Sequence, residues 1–88
     1  MGPDLLYERV RFDGMSVRIR VTTPADAVPI QAVLEVERRS AAGRAISRGR
    51  PPRLAEVTAN NRDEILSSLL PIADDDVAIE ALRTSRGV

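Results

Sequence analysis

The chain has 88 residues, of which 43% are hydrophobic and 30% are charged, and its thirteen arginines balance thirteen acidic residues, so the formal net charge is zero. Cysteine, histidine and lysine are absent, which excludes disulfides, thiolate and Schiff-base chemistry and the common zinc sites. Tyr7 and Phe12 are the only aromatic residues, so we expect one small domain with an aliphatic core. The apolar runs are too short to span a bilayer and the amino terminus lacks a signal-peptide pattern, which predicts a cytoplasmic protein.

The first predicted element is an antiparallel β-hairpin. Asp13 and Gly14 separate two runs in which apolar and polar residues alternate, and Asp-Gly favours a two-residue type I′ turn. This register predicts a core face on which four pairs of residues are opposed: Leu6 with Val21, Glu8 with Ile19, Val10 with Val17, and Phe12 with Met15. The other face then carries Tyr7, Arg9, Arg11, Ser16, Arg18 and Arg20, with Arg9 directly opposite Arg18.

Residues 24–42 are predicted to form a helix. Thr23 is a candidate N-cap, Pro24 suits the first helical position, Asp26 lies in the first turn, and Gly43 offers a stop. The alternative is a third strand, because apolar residues also alternate from Ile30 through Ala32 and Leu34 to Val36, and because Pro29 is unfavourable beyond the first turn of a helix.

Residues 43–53 are predicted to form a basic loop, and residues 54–88 an acidic helical segment. Asn60 or Asn61 can cap a helix that Pro71 ends, and Asp74 opens a last helix that continues to about Arg83. The apolar stripes of the two helices, which pack on the sheet or bind a partner protein, are Ile65, Leu66, Leu69 and Leu70, then Val77, Ala78, Ala81 and Leu82.

These elements predict a single α+β domain: an N-terminal hairpin, a helix packed on it (1–42), a basic loop (43–53) and a C-terminal helical pair (54–88). Residues 1–53 contain ten arginines and six acids, whereas residues 54–88 contain three arginines and seven acids. A net charge of zero therefore divides into about +4 and −4, a polarity that suits binding to an anionic polymer or to a partner protein.

Two arginine clusters are candidate nucleic-acid contacts. Like charges directly opposed on a hairpin are destabilising, so the pair Arg9 and Arg18, with Arg11 and Arg20 nearby, indicates either a well-solvated face or a face neutralised by phosphate. The second cluster is Arg48, Gly49, Arg50 and Pro51, with Arg53 beside it. It resembles the core of an AT-hook, which enters an A·T minor groove, although a stiff polar linker has the same composition.

Two family resemblances rest on these residues. The Asp-Gly hairpin together with Arg48, Gly49 and Arg50 resembles the bridging nucleoid-associated silencers, which implies dimerisation and DNA contact through Arg-Gly-Arg. Residues 32–38 followed by residues 47–51 are similar to Phd/YefM-type antitoxins, which implies a DNA-binding autorepressor with an acidic helical tail that binds a toxin. Neither pattern extends over the whole chain.

The sequence thus predicts a small, non-enzymatic DNA-binding regulator, antitoxin-like and homodimeric, that requires no cofactor. Its alternative is a protein-interaction or assembly subunit that uses its charge polarity. Serine has no histidine or lysine to activate it, so catalysis is not expected. The three carboxylates of Asp74, Asp75 and Asp76 could bind Mg²⁺, but neighbouring helical residues point in different directions and helix capping is the favoured role, so no metal site is predicted.

Overall fold

The computed structural model describes residues 4–38 and 52–85 as a four-stranded antiparallel sheet followed by two helices. The strands pair in chain order, and their bounds are β1, Leu5–Val10; β2, Met15–Val21; β3, Ile30–Arg38; and β4, Arg53–Ala59. The helices are α1, Arg62–Ala73, and α2, Asp76–Ser85. Neither of these two helices is long and apolar enough to span a membrane.

The core lies between one face of the sheet and the two helices. Alternate residues of the central strands point into it, so that Val17 faces Val36 and Ile19 faces Leu34 across the β2–β3 pair. The helices complete this core with fully buried aliphatic side chains, namely Ile65, Leu69, Ala73 and Ile79. The predicted helix packed on an N-terminal hairpin is therefore wrong, because the C-terminal helices occupy that position.

The turn between β1 and β2 contains three residues rather than the predicted two. The backbone N–H of Arg11 donates to Met15 O at 2.8 Å, that of Gly14 donates to Arg11 O at 3.0 Å, and Gly14 has a φ of 83°. A left-handed glycine after a type I turn produces this three-residue connection. The Asp13 carboxylate stabilises it by accepting a hydrogen bond from Met15 N at 3.1 Å.

The longer turn shifts the hairpin register by one residue. Tyr7 faces Ile19 and Arg9 faces Val17, so the predicted pairs, among them Arg9 with Arg18, are wrong. Because successive strand side chains alternate between faces, the shift moves Tyr7 and Arg9 to the helix side of the sheet and Glu8 to the other side. One extra residue, Leu6, sits between the register positions of Leu5 and Tyr7.

The helix predicted over residues 24–42 is wrong in its described part, since residues 22–29 connect β2 to β3 and Ile30–Arg38 form β3. Residues 39–42 lie outside the described residues. The strand alternative has a physical advantage. As a central strand, β3 pairs with β2 on one side and β4 on the other, and its period-two pattern sends Leu34 into the core while Glu35 faces Arg18. The peptide bond between Val28 and Pro29 is cis.

Asparagine and aspartate side chains set the helix boundaries. Asn61 is the N-cap of α1 and accepts a hydrogen bond from Glu64 N at 2.9 Å, whereas Asp75 caps α2 by accepting from Val77 N at 3.0 Å. The prediction that Pro71 ends its helix is wrong, because α1 continues to Ala73. Pro71 lies on the exposed side, where the helix tolerates the lost hydrogen bond.

Replacing Gly14 by alanine tests the turn. No atom lies within 4 Å of a Cβ added at Gly14, so the cost comes from the positive φ alone. We expect the Gly14→Ala chain to lose about 1 kcal/mol of unfolding free energy in urea titrations. Gly14→Asn should lose less, because asparagine tolerates the left-handed region. Equal stability of the glycine and alanine chains would contradict this conformation.

Candidate functional site

The structure separates the four hairpin arginines onto the two faces of the sheet. Arg9 and Arg11 lie on the helix side, and Arg18 and Arg20 lie on the opposite side. This separation follows from the three-residue turn. The single arginine face predicted for the hairpin is therefore divided into two clusters, each with its own acidic partners.

Arg9 in β1 and Arg11 directly after it form ion pairs with carboxylates in the first half of α2. Arg9 donates from Nε to Ala73 O at 2.9 Å and from Nη2 to Asp76 Oδ1 at 2.6 Å. Arg11 donates from Nη1 to Glu80 Oε2 at 2.6 Å, and its Nε lies 3.3 Å from Asp76 Oδ1. We call these side chains, together with Tyr7 and Asp74, the β1–α2 cluster.

The Arg11 side chain is the most enclosed part of the β1–α2 cluster, with 2% of its surface exposed. Its Nη2 also lies 3.4 Å from Asp13 Oδ2, so acids of the turn and of α2 surround one guanidinium. Asp76 and Glu80 are one helical turn apart and would repel each other, but Arg11 lies between them. Hydrogen bonds from Arg11 and Arg83 lower the pKa of the Glu80 carboxyl.

Tyr7 extends the cluster to the end of α1. Its hydroxyl donates a hydrogen bond to Asp74 Oδ1, the residue that caps the C-terminus of α1. Burial of the phenol, followed by this hydrogen bond, raises the pKa of Tyr7 above its usual 10.0. Both influences disfavour the phenolate, the first by desolvation and the second by proximity to a carboxylate.

The opposite face of the sheet carries an alternating row of charges. Strand pairing aligns Glu8 on β1, Arg18 on β2, Glu35 on β3 and Arg53 on β4, so each charged residue has an opposite charge on the neighbouring strand. Opposite charges at paired positions stabilise a sheet, whereas the predicted arginine pair would have destabilised it. We call this set the charge row.

Glu35 is the centre of the charge row and is 1% exposed. Its Oε1 lies 3.2 Å from Arg18 Nη2 and 3.2 Å from Arg20 Nε. Arg18 also donates to Glu37 Oε1 at 2.8 Å. A buried carboxylate requires such partners, because its desolvation is otherwise unfavourable by several kcal/mol. Arg18 and Arg20 therefore contribute to the internal structure of the sheet.

The remaining predicted nucleic-acid residues lie in or beside the β3–β4 connection. Arg53 begins β4 and lies 3.7 Å from Glu56 in a half-exposed ion pair. Arg48 and Arg50 lie outside the described residues. Arg38, an exposed residue at the end of β3, forms no ion pair within the part of the chain that the structure describes. The stretch carrying the antitoxin resemblance, residues 32–38, lies in β3.

The predicted partner-binding stripes are mostly part of the core. Ile65 and Leu69 are fully buried, and Leu66, Leu70 and Leu82 are half-buried against the same core. Val77 is different, with 79% of its surface exposed. Among the large apolar residues of these stripes, Val77 thus has the most accessible side chain.

Three features of this surface were not predicted from the sequence. Glu35 and Glu37 are buried in ion pairs, a role that the alternation of charged and apolar residues in the third-strand alternative could have indicated. Phe12, expected to face the core, is 86% exposed at the hairpin turn, with its ring centroid 5.4 Å from Arg11 Cζ. Val10, also expected in the core, is exposed as well.

The three consecutive aspartates have separate structural roles. Asp74 ends α1 and accepts from Tyr7, Asp75 caps α2, and Asp76 pairs with Arg9 and Arg11. Over residues 4–38 and 52–85, no group of three or more potential metal ligands converges. The capping role favoured from the sequence thus agrees with the observed contacts of Asp75.

No protein-family model, curated protein or solved structure matches the chain. Function is therefore inferred from the geometry of the β1–α2 cluster, the pairing of the charge row and the distribution of arginines.

Titration of the single tyrosine tests the β1–α2 cluster directly. The ultraviolet absorbance of the phenolate reports Tyr7 alone, since the chain has no other tyrosine and no tryptophan. We expect a midpoint above 10.0, and a lower midpoint in the Asp74→Asn chain, because the hydrogen-bonded carboxylate disfavours the phenolate. Because the pKa of Tyr7 is higher in the folded state than in the unfolded chain, the protonated phenol contributes its full stabilisation below pH 10.0. This contribution is lost as the pH rises through the folded-state pKa.

An unfolded chain in denaturant provides the reference midpoint for this titration. Asp63→Asn, which neutralises an exposed acid at the other end of α1, is the matched control and should leave the midpoint unchanged. A midpoint in the native chain equal to that of the unfolded chain would contradict the burial and hydrogen bonding described for Tyr7.

Proposed function

We propose that the protein is a small, non-enzymatic DNA-binding regulator that contacts phosphates through residues 38–53. The observation that carries the proposal is the distribution of arginines. Residues 38–53 contain six arginines and no acidic residue, whereas the rest of the chain contains seven arginines and all thirteen acids. This basic segment has a net charge of about +6 and the remainder about −6.

The ion pairs of the described residues support this assignment. Arg9, Arg11, Arg18 and Arg20 all contact carboxylates of the same chain, so their charges are neutralised within the fold. DNA affinity depends on cations that replace the counterions of phosphates. Arginines without nearby acids are better suited to this role, and by sequence the basic segment supplies the largest group of them.

The fold supplies a support for the basic segment. β3 ends at Arg38 and β4 begins at Arg53. Because these strands are adjacent and antiparallel, both ends of the segment are fixed at the same end of the sheet. Fixed ends reduce the conformational entropy lost when a segment binds a rigid ligand. Arg48, Gly49, Arg50 and Pro51 lie within it, and their resemblance to an AT-hook supports a proposal in which Arg48 and Arg50 enter the minor groove, between the phosphates of the two strands.

Salt-dependent binding to duplex DNA tests this function. We expect Arg48→Ala/Arg50→Ala to weaken binding to an A·T-rich duplex at least tenfold at low salt. The slope of log affinity against log salt should fall in magnitude by about 2, because two arginine charges that displace phosphate counterions are lost. Fluorescence anisotropy over a salt series measures both quantities.

A charge-matched variant completes the DNA experiment. Arg62→Ala/Arg83→Ala removes two arginines from the helices and should change affinity less than threefold. If the wild-type chain fails to bind duplex DNA at low salt, or if both double variants weaken binding equally, the proposal that residues 38–53 make the contact is wrong.

A second candidate function, a protein-interaction subunit, is favoured by a separate observation. Phe12 and Val77 are large apolar side chains with 86% and 79% of their surfaces exposed, and exposed aromatic residues are common anchors of protein interfaces. The predicted homodimer would use such side chains to bury apolar area that the small core lacks.

Sedimentation equilibrium tests the homodimer. We expect a dimeric wild-type chain at micromolar concentration, and Phe12→Ser/Val77→Ser should raise the dissociation constant at least tenfold, since both side chains would leave an apolar interface. Val28→Ser, which removes another exposed apolar side chain, is the matched control. A monomeric wild-type chain would contradict a dimer formed through Phe12 and Val77.

A further inference from the structure

Ion pairs attach the N-terminal half of α2, while Ile79 and Leu82 supply the apolar contact of this helix with the core. Ile79 is the only residue of α2 whose side chain is fully buried, and Val77 on the same helix is largely exposed. By contrast, α1 buries Ile65, Leu69 and Ala73 in the core. The N-terminal half of α2 instead meets β1 through carboxylates, which contact Arg9 and Arg11 at 2.6 Å.

In these contacts, carboxylates occupy the guanidinium groups of Arg9 and Arg11 in the way that phosphate oxygens could. Carboxylates and phosphates bind guanidinium groups through the same charge-assisted hydrogen bonds. Asp76 reaches both arginines, Glu80 reaches Arg11, and the Asp74 carboxylate lies 4.0 Å from Arg9 Nε. Tyr7 adds an aromatic hydroxyl on the same side of β1.

The surrounding contacts make α2, rather than β1, the candidate for the partner that moves. In the turn after β1, Asp13 Oδ2 lies 3.4 Å from Arg11 Nη2. Within α2, Arg83 Nη1 lies 2.9 Å from Glu80 Oε2 and therefore competes with Arg11 for that carboxylate. Arg9 belongs to β1, which pairs with β2, and the backbone N–H of Arg11 donates to Met15 O. By contrast, α2 lies near the C-terminal end of the described residues and is capped by Asp75 within its own segment.

We propose that the N-terminal half of α2 is a displaceable anionic cover over a second DNA-binding site, formed by Tyr7 and Arg9 of β1 and by Arg11, which directly follows that strand. In the covered state, Asp76 and Glu80 occupy the guanidinium groups. When α2 separates, these groups become available to the phosphates of duplex DNA. This inference rests on the proposed DNA-binding function for its ligand, but it concerns different residues from the basic segment 38–53.

Neutralising the cover tests the proposal in a chain whose basic segment is disabled. With Arg48→Ala/Arg50→Ala as background, Asp76→Asn/Glu80→Gln is expected to increase affinity for a short duplex DNA at least tenfold at low salt. The salt slope should become steeper by about 2, for two new phosphate contacts. Further replacement of Arg9→Gln/Arg11→Gln should remove the gain.

Asp26→Asn/Asp63→Asn in the same background controls for the change in net charge, because it neutralises two exposed acids away from β1. A gain no larger than that of this control, or a gain that survives loss of Arg9 and Arg11, would overturn the proposal. The outcomes separate the two sites. Wild-type binding without a gain overturns only the cover, whereas a gain without wild-type binding overturns only the function of the basic segment.

Hydrogen exchange of the wild-type chain provides an independent measurement if the neutralised variants do not fold. Raising the salt concentration from low to about 0.5 M screens the ion pairs. Amides of Val77–Ser85 are then expected to exchange at least threefold faster, while those of β2 and β3 remain unchanged. No acceleration in α2, or equal acceleration in α2 and the sheet, would show that α2 does not separate on its own and would overturn the proposal.

Discussion

The three-residue turn between β1 and β2 is the constraint on which the arrangement of charge in this protein depends. Gly14 adopts a φ of 83° and Asp13 accepts a hydrogen bond from Met15, and together they fix a register in which Tyr7 and Arg9 face the helices. A two-residue turn would exchange the faces of β1. Arg9 and Arg18 would then oppose each other, and the acids at the start of α2 would lose their partners. One additional turn residue thus determines that both clusters are neutralised.

The two clusters differ in what they stabilise. The charge row joins strands that also share extensive backbone pairing, and Glu35 at its centre is buried. Removing one partner of a buried pair generally costs about 3–5 kcal/mol, so Arg18, Arg20 and Glu35 form a permanent part of the sheet. The β1–α2 cluster joins its elements through ion pairs in which Asp76 and Glu80 remain partly exposed. Its ion pairs are therefore more accessible to water, salt and competing anions.

The sheet also limits which arginines can contact a ligand. In a chain of zero net charge, every arginine held by a carboxylate inside the fold leaves less positive charge for binding. The hairpin uses four arginines in this way, and Arg53 forms an ion pair with Glu56. The basic segment 38–53 nevertheless contains six arginines and no acidic residue of its own. The division of charge between the N-terminal and C-terminal halves is thus less informative than the division between the basic segment and the rest of the chain. Function is proposed from that second division.

Local chemistry in the sequence determined several elements by itself. Asp13 and Gly14 mark a hairpin, Asn61 marks the start of α1, and the consecutive aspartates mark the boundary with α2, because each depends on backbone groups only a few residues away. Tertiary structure decided the rest. The period-two pattern of residues 30–38 became a strand because β2 and β4 pair with it on both sides, although Thr23 and Pro24 offered a helix start. The carboxylates that accept hydrogen bonds from Arg9, Arg11 and Arg18 are 19 or more residues away in the chain. Strand register and helix docking, which depend on packing of the whole core, bring these charges together.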